Sequence, residues 1–514
     1  MNGAQSLVAT LAGQGVDICF ANPGTSEMHF LAALENPSMR SVLALFEGVA
    51  TGAADGWYRM KDTPACTLLH LGPGLANGLA NIHNAKRASS GMVNIVGDHS
   101  TGHLRYNPPL ASDIEGLARP LSHWVRRASS ASTIAQDAAE AVVEASGHPG
   151  RIATLVLPGD ASWQEAGTPA VIARAPRAPK RPDAARIEKA ARVLRSGEPT
   201  LVILANKAGR GVALQRAGQV AAATGARLGS QFFTTRIERG AGRVPLERIP
   251  YAIGLALAFL KDFRHLITVE TTEPVAFFSY PDKPSLLKAA GTQVHPLVEA
   301  DEDSALAFEM LLDALGAGKA APRLHERVQA PVPSGALNPL SIAHALAAAI
   351  PENAIVVDES LTTGRETMGL TAGALPHDLL NNMGGSIGFS TPVATGAALA
   401  CPGRRVFCLV GDGSAMYTIQ SLWTQARESL DITTIVFANN SYAILKAEYA
   451  NMGAGQPGQR ALSMIDLDRP RIDWLSLSKG LGVPAVAVES AEAFHKAMVD
   501  STRAPGPSLI EVRL

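Results

Sequence analysis

The chain has 514 residues, of which 46% are hydrophobic and 18% charged, and its formal net charge is −1. This length suggests about three domains, and the apolar content excludes a disordered chain. The balanced charge excludes a basic nucleic-acid-binding surface, and no run approaches the roughly 18 apolar residues of a membrane span. With no signal-peptide pattern at the start, we expect a soluble cytoplasmic protein without nucleic-acid or membrane partners.

Two stretches rich in proline, alanine and arginine predict linkers, at residues 171–190 and 316–339. They divide the chain into three predicted domains, at residues 1–170, 188–318 and 338–514. Cysteine gives no further constraint. The four cysteines are far apart and form no CxxC pair, which predicts free thiols: Cys19, Cys66, Cys401 and Cys408.

Short apolar runs alternate with helical patterns in each predicted domain. The predicted strands are VDICFA, PACTLLHL and GMVNIVGD in the first domain, PTLVILAN and FRHLITVET in the second, and AIVVDES, RRVFCLVGDG and ITTIVFANN in the third. Uniformly apolar strands separated by helices are typical of parallel sheets covered on both faces. The sequence therefore predicts an α/β fold of three doubly wound parallel-sheet domains.

An isolated acid stands in the first domain, in LALFEGVATGAADGWYRM. Glu47 follows an apolar run and begins a helix of small residues. A glutamate at a helix start is also favoured simply by the helix dipole. The local pattern therefore leaves a structural and a functional role open.

The third domain carries a strand, a GDGS turn, a helix and a second strand. Ser414 is a suitable N-cap, and Met416, Ile419 and Trp423 recur at helical spacing. A right-handed crossover brings the ends of both strands to one edge, about 4.8 Å apart if the strands are neighbours. Asp412 and Asn439 would meet there, where two oxygens could share a Mg²⁺ ion beside a phosphate.

The spacing of these residues resembles the motif of thiamine diphosphate (ThDP) enzymes, since Asn439 follows Asp412 by 27 residues. The resemblance implies that Asp412, Asn439 and the backbone carbonyl of Ser441 bind Mg²⁺. It also implies that Asn440 is replaceable.

The resemblance covers the whole chain and is to the pyruvate oxidase, acetolactate synthase and benzoylformate decarboxylase group. It implies pyrimidine-binding, central and diphosphate-binding domains, in that order. VVDESLTTG and NNMGGSIGFSTPVATGAAL resemble two cofactor-binding segments of the group. Besides the metal ligands, the implied cofactor-binding residues are Thr362, Gly385, Ile387, Gly413, Ser414, Tyr417 and Tyr442.

The segment FEGVATGAADGWYR is similar to the family segment that contains the activating glutamate. The resemblance implies that Glu47 hydrogen-bonds the aminopyrimidine of ThDP. Because the cofactor of this family bridges two subunits, it also implies a homodimer or homotetramer with active sites between subunits.

Two further segments bear on the substrate, which the resemblance implies is a small 2-oxo acid. Ser26 and His70 match a carboxylate-binding serine and a catalytic histidine of benzoylformate decarboxylase. A second histidine of that enzyme is replaced here by Ser279 and Tyr280. Its pocket residues after the metal site become Ile444 and Glu448, which predicts a different substrate.

The predicted activity is ThDP- and Mg²⁺-dependent decarboxylation or carboligation of 2-oxo acids. FAD is possible in the central domain, but ILANKAGRGVALQ is not a dinucleotide fingerprint and gives no support for it. One alternative is a divalent-metal phosphohydrolase, which usually needs several carboxylates. The other is an inactive ThDP-binding homologue, against which Glu47 argues.

Overall fold

The computed structural model describes residues 1–166 and 175–514. The end of the predicted first domain (167–170) and the start of the predicted first linker (171–174) lie outside the described residues.

The strands and helices follow one another in the alternating order expected of doubly wound domains. The strands are β1 (Ile18–Ala21), β2 (Arg40–Leu43), β3 (Ala65–Leu69), β4 (Met92–Asp98), β5 (Trp124–Arg127), β6 (Ile152–Pro158), β7 (Thr200–Leu204), β8 (Arg227–Ser230), β9 (Ile237–Arg239), β10 (Glu247–Arg248), β11 (His265–Val269), β12 (Gln293–Val298), β13 (Ala354–Glu359), β14 (His377–Asn381), β15 (Val406–Gly411), β16 (Ile432–Ala438), β17 (Ala485–Val488) and β18 (Ser508–Arg513).

The helices are α1 (Gly3–Gly13), α2 (Met28–Ala33), α3 (Glu47–Lys61), α4 (Leu71–Arg87), α5 (Thr101–Leu104), α6 (Ile114–Ala118), α7 (Ile134–Ser146), α8 (Gly159–Trp163), α9 (Ala184–Arg195), α10 (Gly211–Thr224), α11 (Ile253–Leu260), α12 (Ser304–Leu315), α13 (Pro339–Ala349), α14 (Thr367–Leu370), α15 (Ser390–Ala400), α16 (Asp412–Ala415), α17 (Ser421–Arg427), α18 (Ala443–Asn451), α19 (Gln459–Leu462), α20 (Trp474–Gly480) and α21 (Ala491–Arg503). Two short 3₁₀ helices lie at Thr25–Glu27 and Asn206–Gly209.

The strands form three sheets, which confirms the predicted fold class. The first sheet has the order β2-β1-β3-β4-β6-β5, and the second has the order β10-β8-β7-β11-β12. All strand pairs in both are parallel. All eight strands predicted from apolar runs are present, because such runs fit sheets buried on both faces.

The third sheet has the order β17-β18-β16-β15-β13-β14-β9. Six of its strands come from Ala354 onward, but β9 comes from the central part of the chain and pairs antiparallel with β14. The central segment is therefore built into the edge of the third sheet.

The two predicted linkers have different outcomes. The second linker, from Gly316 to Asn338, contains none of the helices and strands given above, as predicted. The first is shorter than predicted, because α9 begins at Ala184 and buries Ile187 and Leu194 in the central core. The domain boundaries themselves stay a prediction.

Helices α3 and α15 join the first and third domains through their small residues. A Cβ atom at Gly396 would lie 1.8 Å from the carbonyl oxygen of Ala53, and one at Gly56 would lie 2.1 Å from that of Val393. Only glycine permits this approach. The small-residue composition of α3 is thus explained by packing, and this packing fixes the helix that begins at Glu47 against the third domain.

The structure bears on two further predictions. All four cysteines are free. Within the two described ranges, no helix combines the length and apolarity needed to cross a bilayer.

Candidate active site

A cleft lies where β13, β15 and β16 end at the carboxyl edge of the third sheet. Its empty space is about 340 Å³, including open solvent. Seven of the residues predicted from sequence line it: Thr362, Asp412, Gly413, Ser414, Asn439, Ser441 and Tyr442. Ser360, Leu361, Thr363 and Ile444 are also among the lining residues. The pairing of β15 with β16 makes the ends of these two strands neighbours, as the crossover rule predicts.

Asp412 is the buried carboxylate of this cleft. Its Oδ1 accepts the backbone N–H of Gly413 at 2.8 Å, and its Oδ2 accepts that of Asn440 at 2.6 Å. Burial raises the pKa of Asp412 above its usual range, and the two N–H donors only partly oppose this. Within the described ranges no cationic side chain pairs with it, so the site has room for a positive charge beside an acidic oxygen.

The two asparagines after β16 have different environments. Asn439 lines the cleft, and its Oδ1 accepts the backbone N–H of Ser441 at 3.0 Å. Asn440 has a positive φ of 53° and is not a lining residue. Its side chain has no hydrogen-bond partner in the described part of the chain. Of the two asparagines only Asn439 lines the cleft, and the metal-binding role of Asn439 and the replaceability of Asn440 stay predictions.

The helix predicted to begin at Ser414 is wrong in its details. The chain forms the short α16, which starts at Asp412, and then resumes a helix only at Ser421. Between them, the hydroxyl of Thr418 donates to the carbonyl of Gly388 at 2.9 Å. This contact draws residues 416–420 out of the helical path.

The two predicted tyrosines are placed differently. The ring of Tyr442 lies against Gly413, where a Cβ would meet it at 2.3 Å. Tyr417 is 53% exposed and packs through its Cβ against Gly388. Burial raises the pKa of Tyr442, with smaller contributions from Tyr417 and Asp412. Only Tyr442 lines the cleft.

Gly385 and Ile387 lie on a loop beside the cleft and do not line it. Gly385 has a positive φ of 77°, and the ring of Phe277 stands 2.7 Å from the place of its missing Cβ. The loop is held by the first domain, since Asn84 binds both the backbone N–H and the carbonyl of Ser386, at 3.2 and 2.9 Å. The loop therefore contacts both other parts of the chain.

Glu359, at the end of β13, is a residue that sequence reasoning missed. Its buried carboxylate accepts the backbone N–H groups of Gly388, Phe389 and Ser390 at 3.0, 3.1 and 2.9 Å. Burial raises the pKa of Glu359 to about 7, and these N–H groups oppose the shift. An acid ending an apolar strand was the available signal. Glu359 ties the start of α15 and the loop of Ile387 to the strand that precedes Thr362.

Glu47 stands at the first position of α3 and is 4% exposed. Its Oε2 accepts a hydrogen bond from the side-chain amide of Asn77 at 3.0 Å. A Cβ at Gly74 would lie 2.9 Å from Oε1 and 3.2 Å from the Cβ of His70. Glu47 and His70 are thus brought to the same end of α4.

Ser26 and His70 meet at a second residue that the sequence did not reveal, Glu27. This glutamate is 2% exposed and accepts hydrogen bonds from the hydroxyl of Ser26 at 2.6 Å and from the backbone N–H of Gly24 at 2.8 Å. His70 Nδ1 lies 2.9 Å from the same carboxylate. The Ser26 hydroxyl is therefore directed to Glu27, while the other ring nitrogen of His70 is left for a different partner.

In the central sheet the strands after β7 are added first on one side of β7 and then, from β11, on the other side. The crevice between β7 and β11, where the strand order reverses, is the place where nucleotides bind in such sheets. Carboxylates stand there: Glu270 Oε2 accepts the backbone N–H of Lys207 at 3.0 Å, and Asp62 binds Arg210 at 2.6 and 2.8 Å. These carboxylates take up N–H and guanidinium donors of the crevice, which gives no support for a bound FAD.

The family model for the thiamine pyrophosphate enzyme N-terminal TPP binding domain matches residues 1–117, and that for the C-terminal TPP binding domain matches residues 367–512. The chain is 48% identical over 519 residues to a Mycobacterium tuberculosis protein named "Putative acetolactate synthase large subunit IlvX", covering 100% of this chain and 99% of the relative.

Two more distant relatives are named as decarboxylases. Benzoylformate decarboxylase of Pseudomonas aeruginosa is 28% identical over 527 residues, covering 98% of this chain and 97% of the relative. The structure of the ThDP-dependent 4-hydroxybenzoylformate decarboxylase of Rhodococcus jostii superposes with a TM-score of 0.87 at 24% identity, covering 100% and 99% of the two chains. At that identity the structural likeness concerns the fold.

Proposed function

The chain belongs to the thiamine pyrophosphate (thiamine diphosphate) enzyme family, and we propose that its two site clusters are the halves of one active site that decarboxylates a 2-oxo acid. It is an enzyme whose cofactor is ThDP and whose chemistry is 2-oxo acid decarboxylation or carboligation. Membership of this family leaves no support for the phosphohydrolase alternative. The meeting of Asp412, Asn439 and Ser441 in one cleft carries the proposal.

The donor set of the cleft suits a magnesium diphosphate. A carboxylate, an amide oxygen and a backbone carbonyl are hard oxygen ligands, which Mg²⁺ prefers together with phosphate oxygens. The raised pKa of Asp412 indicates a buried acid that an adjacent cation would stabilise in its charged form. Thr362 and Ser414 provide hydroxyl groups on the cleft wall for the phosphates.

When bound, ThDP would supply a nucleophilic carbon and an electron sink for the decarboxylation of a 2-oxo acid. Glu47 is the residue proposed to act on the aminopyrimidine, since its buried carboxylate has an oxygen without a side-chain donor in the described residues. Its carboxylate would accept a hydrogen bond from the aminopyrimidine ring and so favour the reactive tautomer. Asn77 orients the carboxylate from the adjacent helix.

His70 is proposed to move the proton that completes the reaction. When Nδ1–H donates to Glu27, Nε2 carries the lone pair and faces away from the carboxylate. A histidine fixed in this way can exchange a proton with the reacting centre. The hydroxyl of Ser26 donates its proton to Glu27 at 2.6 Å, so we propose that it turns from Glu27 to the substrate carboxylate when the substrate binds.

Two subunits are needed to complete the proposed site. The cleft is lined entirely by residues of the third domain, and neither Glu47 nor His70 is among them. We therefore propose a homodimer, or a homotetramer built from it. In this assembly Glu47 and His70 of one subunit, with Ser26 and Glu27 beside them, face the cleft of the other subunit.

Cofactor binding is tested by titrating apo-protein with ThDP, with and without Mg²⁺, in a calorimeter. We expect binding only when Mg²⁺ is present. Binding of ThDP that ignores Mg²⁺ would remove the proposed role of the Asp412 cleft.

The reaction is tested by incubating the holoenzyme with a panel of 2-oxo acids, measuring CO₂ release and identifying products by NMR. An aldehyde would identify a decarboxylase, and a hydroxyketone a carboligase. A holoenzyme that binds Mg²⁺ and ThDP but releases no CO₂ from any member would contradict the proposed function.

A further inference from the structure

A tyrosine of the central domain and a glutamate of α18, the helix whose Ile444 lines the cleft, share a hydrogen bond. Tyr280, which is 8% exposed, donates its hydroxyl to Glu448 Oε2 at 2.7 Å. Burial and the neighbouring carboxylate both raise the pKa of Tyr280, so the phenol stays protonated and is the donor. Two polar side chains from different domains thus share one hydrogen bond.

The helix register places this pair next to the cleft. Ile444 lines the cleft, and Glu448 follows it by four residues on the same helix. Residues spaced by four share a helix face, and four residues advance about 6 Å along the axis. Glu448 therefore lies about one helical turn beyond Ile444, on the same face of α18 as Ile444.

The central segment that carries Tyr280 also reaches the cofactor loop. Phe277 precedes Tyr280 by three residues, and its ring lies against Gly385. Phe277 packs with Phe233 and Tyr251, at ring-centroid distances of 5.6 and 5.8 Å. The segment thus extends from the loop of Gly385 to α18, and its Phe277 packs with aromatic rings of the central domain.

Glu448 has an oxygen available for a ligand. Its Oε1 has only the side-chain amide of Asn451 at 3.4 Å, which is longer than an ordinary hydrogen bond. An ionised carboxylate can accept more bonds than the two present here. A hydrocarbon group pressed against it would displace water and leave the oxygen unpaired, which is unfavourable.

We propose that Tyr280 and Glu448 select the substrate by its distal end, favouring 2-oxo acids that carry a hydroxyl or ammonium group there. The inference rests on the proposed function, because it assigns the substrate class of that same site. A site built to accept a hydrogen bond discriminates against the analogue that lacks the donor.

The experiment compares kcat/KM for CO₂ release from two matched pairs of substrates. The pairs are benzoylformate with 4-hydroxybenzoylformate, and 2-oxobutanoate with 4-hydroxy-2-oxobutanoate. We expect wild-type enzyme to favour the hydroxylated member of at least one pair by about 10- to 100-fold, the range of a hydrogen bond to a charged group. A wild-type kcat/KM ratio below threefold in both pairs overturns the inference. This outcome is measured on the wild-type enzyme, so it does not depend on whether the variants are soluble.

Two variants distinguish a role of these residues in substrate recognition from a role only in holding α18 in place. In Glu448→Gln, the amide oxygen can keep the bond to Tyr280 while the NH₂ group faces the ligand. We expect the preference to fall about tenfold, with the hydrocarbon substrate changed less than threefold. In Tyr280→Phe we expect a smaller loss of the same preference. If both members of a pair lose activity equally, the residues only hold the helix and the inference is wrong.

The control is Glu489→Gln, an exposed acid that pairs with Arg513 at 3.0 Å. It should leave the substrate ratios unchanged. Failure of the two proposals is distinguishable: no CO₂ from any substrate contradicts the proposed function, whereas CO₂ release with equal rates within each pair contradicts only this inference.

Discussion

A buried ion pair inside α3 provides the sharpest test of how the domains are joined. Arg59 and Asp55 are spaced by four residues, with 0% and 1% of their side chains exposed. Two parallel bonds of 2.8 and 2.7 Å connect them. Arg59 also donates to the carbonyl of Asn381 on β14 at 2.7 Å. The change Asp55→Asn removes the negative charge and keeps the shape.

The expected loss follows from leaving a buried guanidinium without its counter-charge. Breaking a buried pair by removing one partner costs about 3–5 kcal/mol. Because Arg59 keeps its bond to Asn381, we expect the lower end, about 3 kcal/mol. For a domain of this size, that corresponds to a fall in Tm of roughly 6 °C or more.

The assay is urea and thermal unfolding followed by circular dichroism. The matched control is Asp500→Asn, because Lys496 and Asp500 have the same four-residue spacing with side chains 76% and 52% exposed. An exposed pair of this kind contributes at most about 0.5 kcal/mol. A loss below 1 kcal/mol in Asp55→Asn, or equal losses in both variants, would refute the reasoning.

Three further predictions concern single residues. Glu47→Gln should fold and bind ThDP but lower kcat by about 100-fold or more, the scale of acid–base catalysis; a rate within threefold of wild type contradicts this. In calorimetry, Asn439→Ala should weaken the binding of Mg²⁺–ThDP by about tenfold or more, whereas Asn440→Ala should weaken it by less than threefold. The opposite order of the two effects would assign the metal to Asn440. Burial raises the pKa of Glu270 from 4.5 to about 7, so the stability it contributes is full below about pH 4.5 and is lost as the pH rises through 7. The unfolding free energy of wild type relative to Glu270→Gln should thus fall by roughly 1–3 kcal/mol between pH 4.5 and 8 in urea titrations, and a constant difference would contradict the assignment.

The sequence predicted those features whose cause is local or follows from sheet geometry. The apolar runs identify the strands because both faces of a parallel sheet are buried. Asp412 and Asn439 could be placed together because consecutive parallel strands end at one edge. The same rule also put the start of the GDGS helix at this edge, whereas Thr362, Ser441 and Tyr442 were implied only by the family resemblance.

The features that were missed depend on contacts between distant segments. Glu27 and Glu359 bind groups whose positions are set by the tertiary fold, and the local sequence offered a signal only for Glu359, as an acid at the end of an apolar strand. The break before α17 arises from the bond of Thr418 to Gly388, 30 residues away. Helical periodicity contains no information about such a bond.

Strand β9 has a consequence for how this chain can be cut or recombined. Ile237–Arg239 covers the backbone edge of β14, and Arg239 anchors it by donating to the Thr371 hydroxyl at 2.6 Å. A fragment that begins after the central segment would expose the unpaired amides and carbonyls of β14, a template for self-association. The catalytic half that holds the cleft is therefore not a portable module. Any chimera with a relative must transfer the short central strand together with the sheet that it closes.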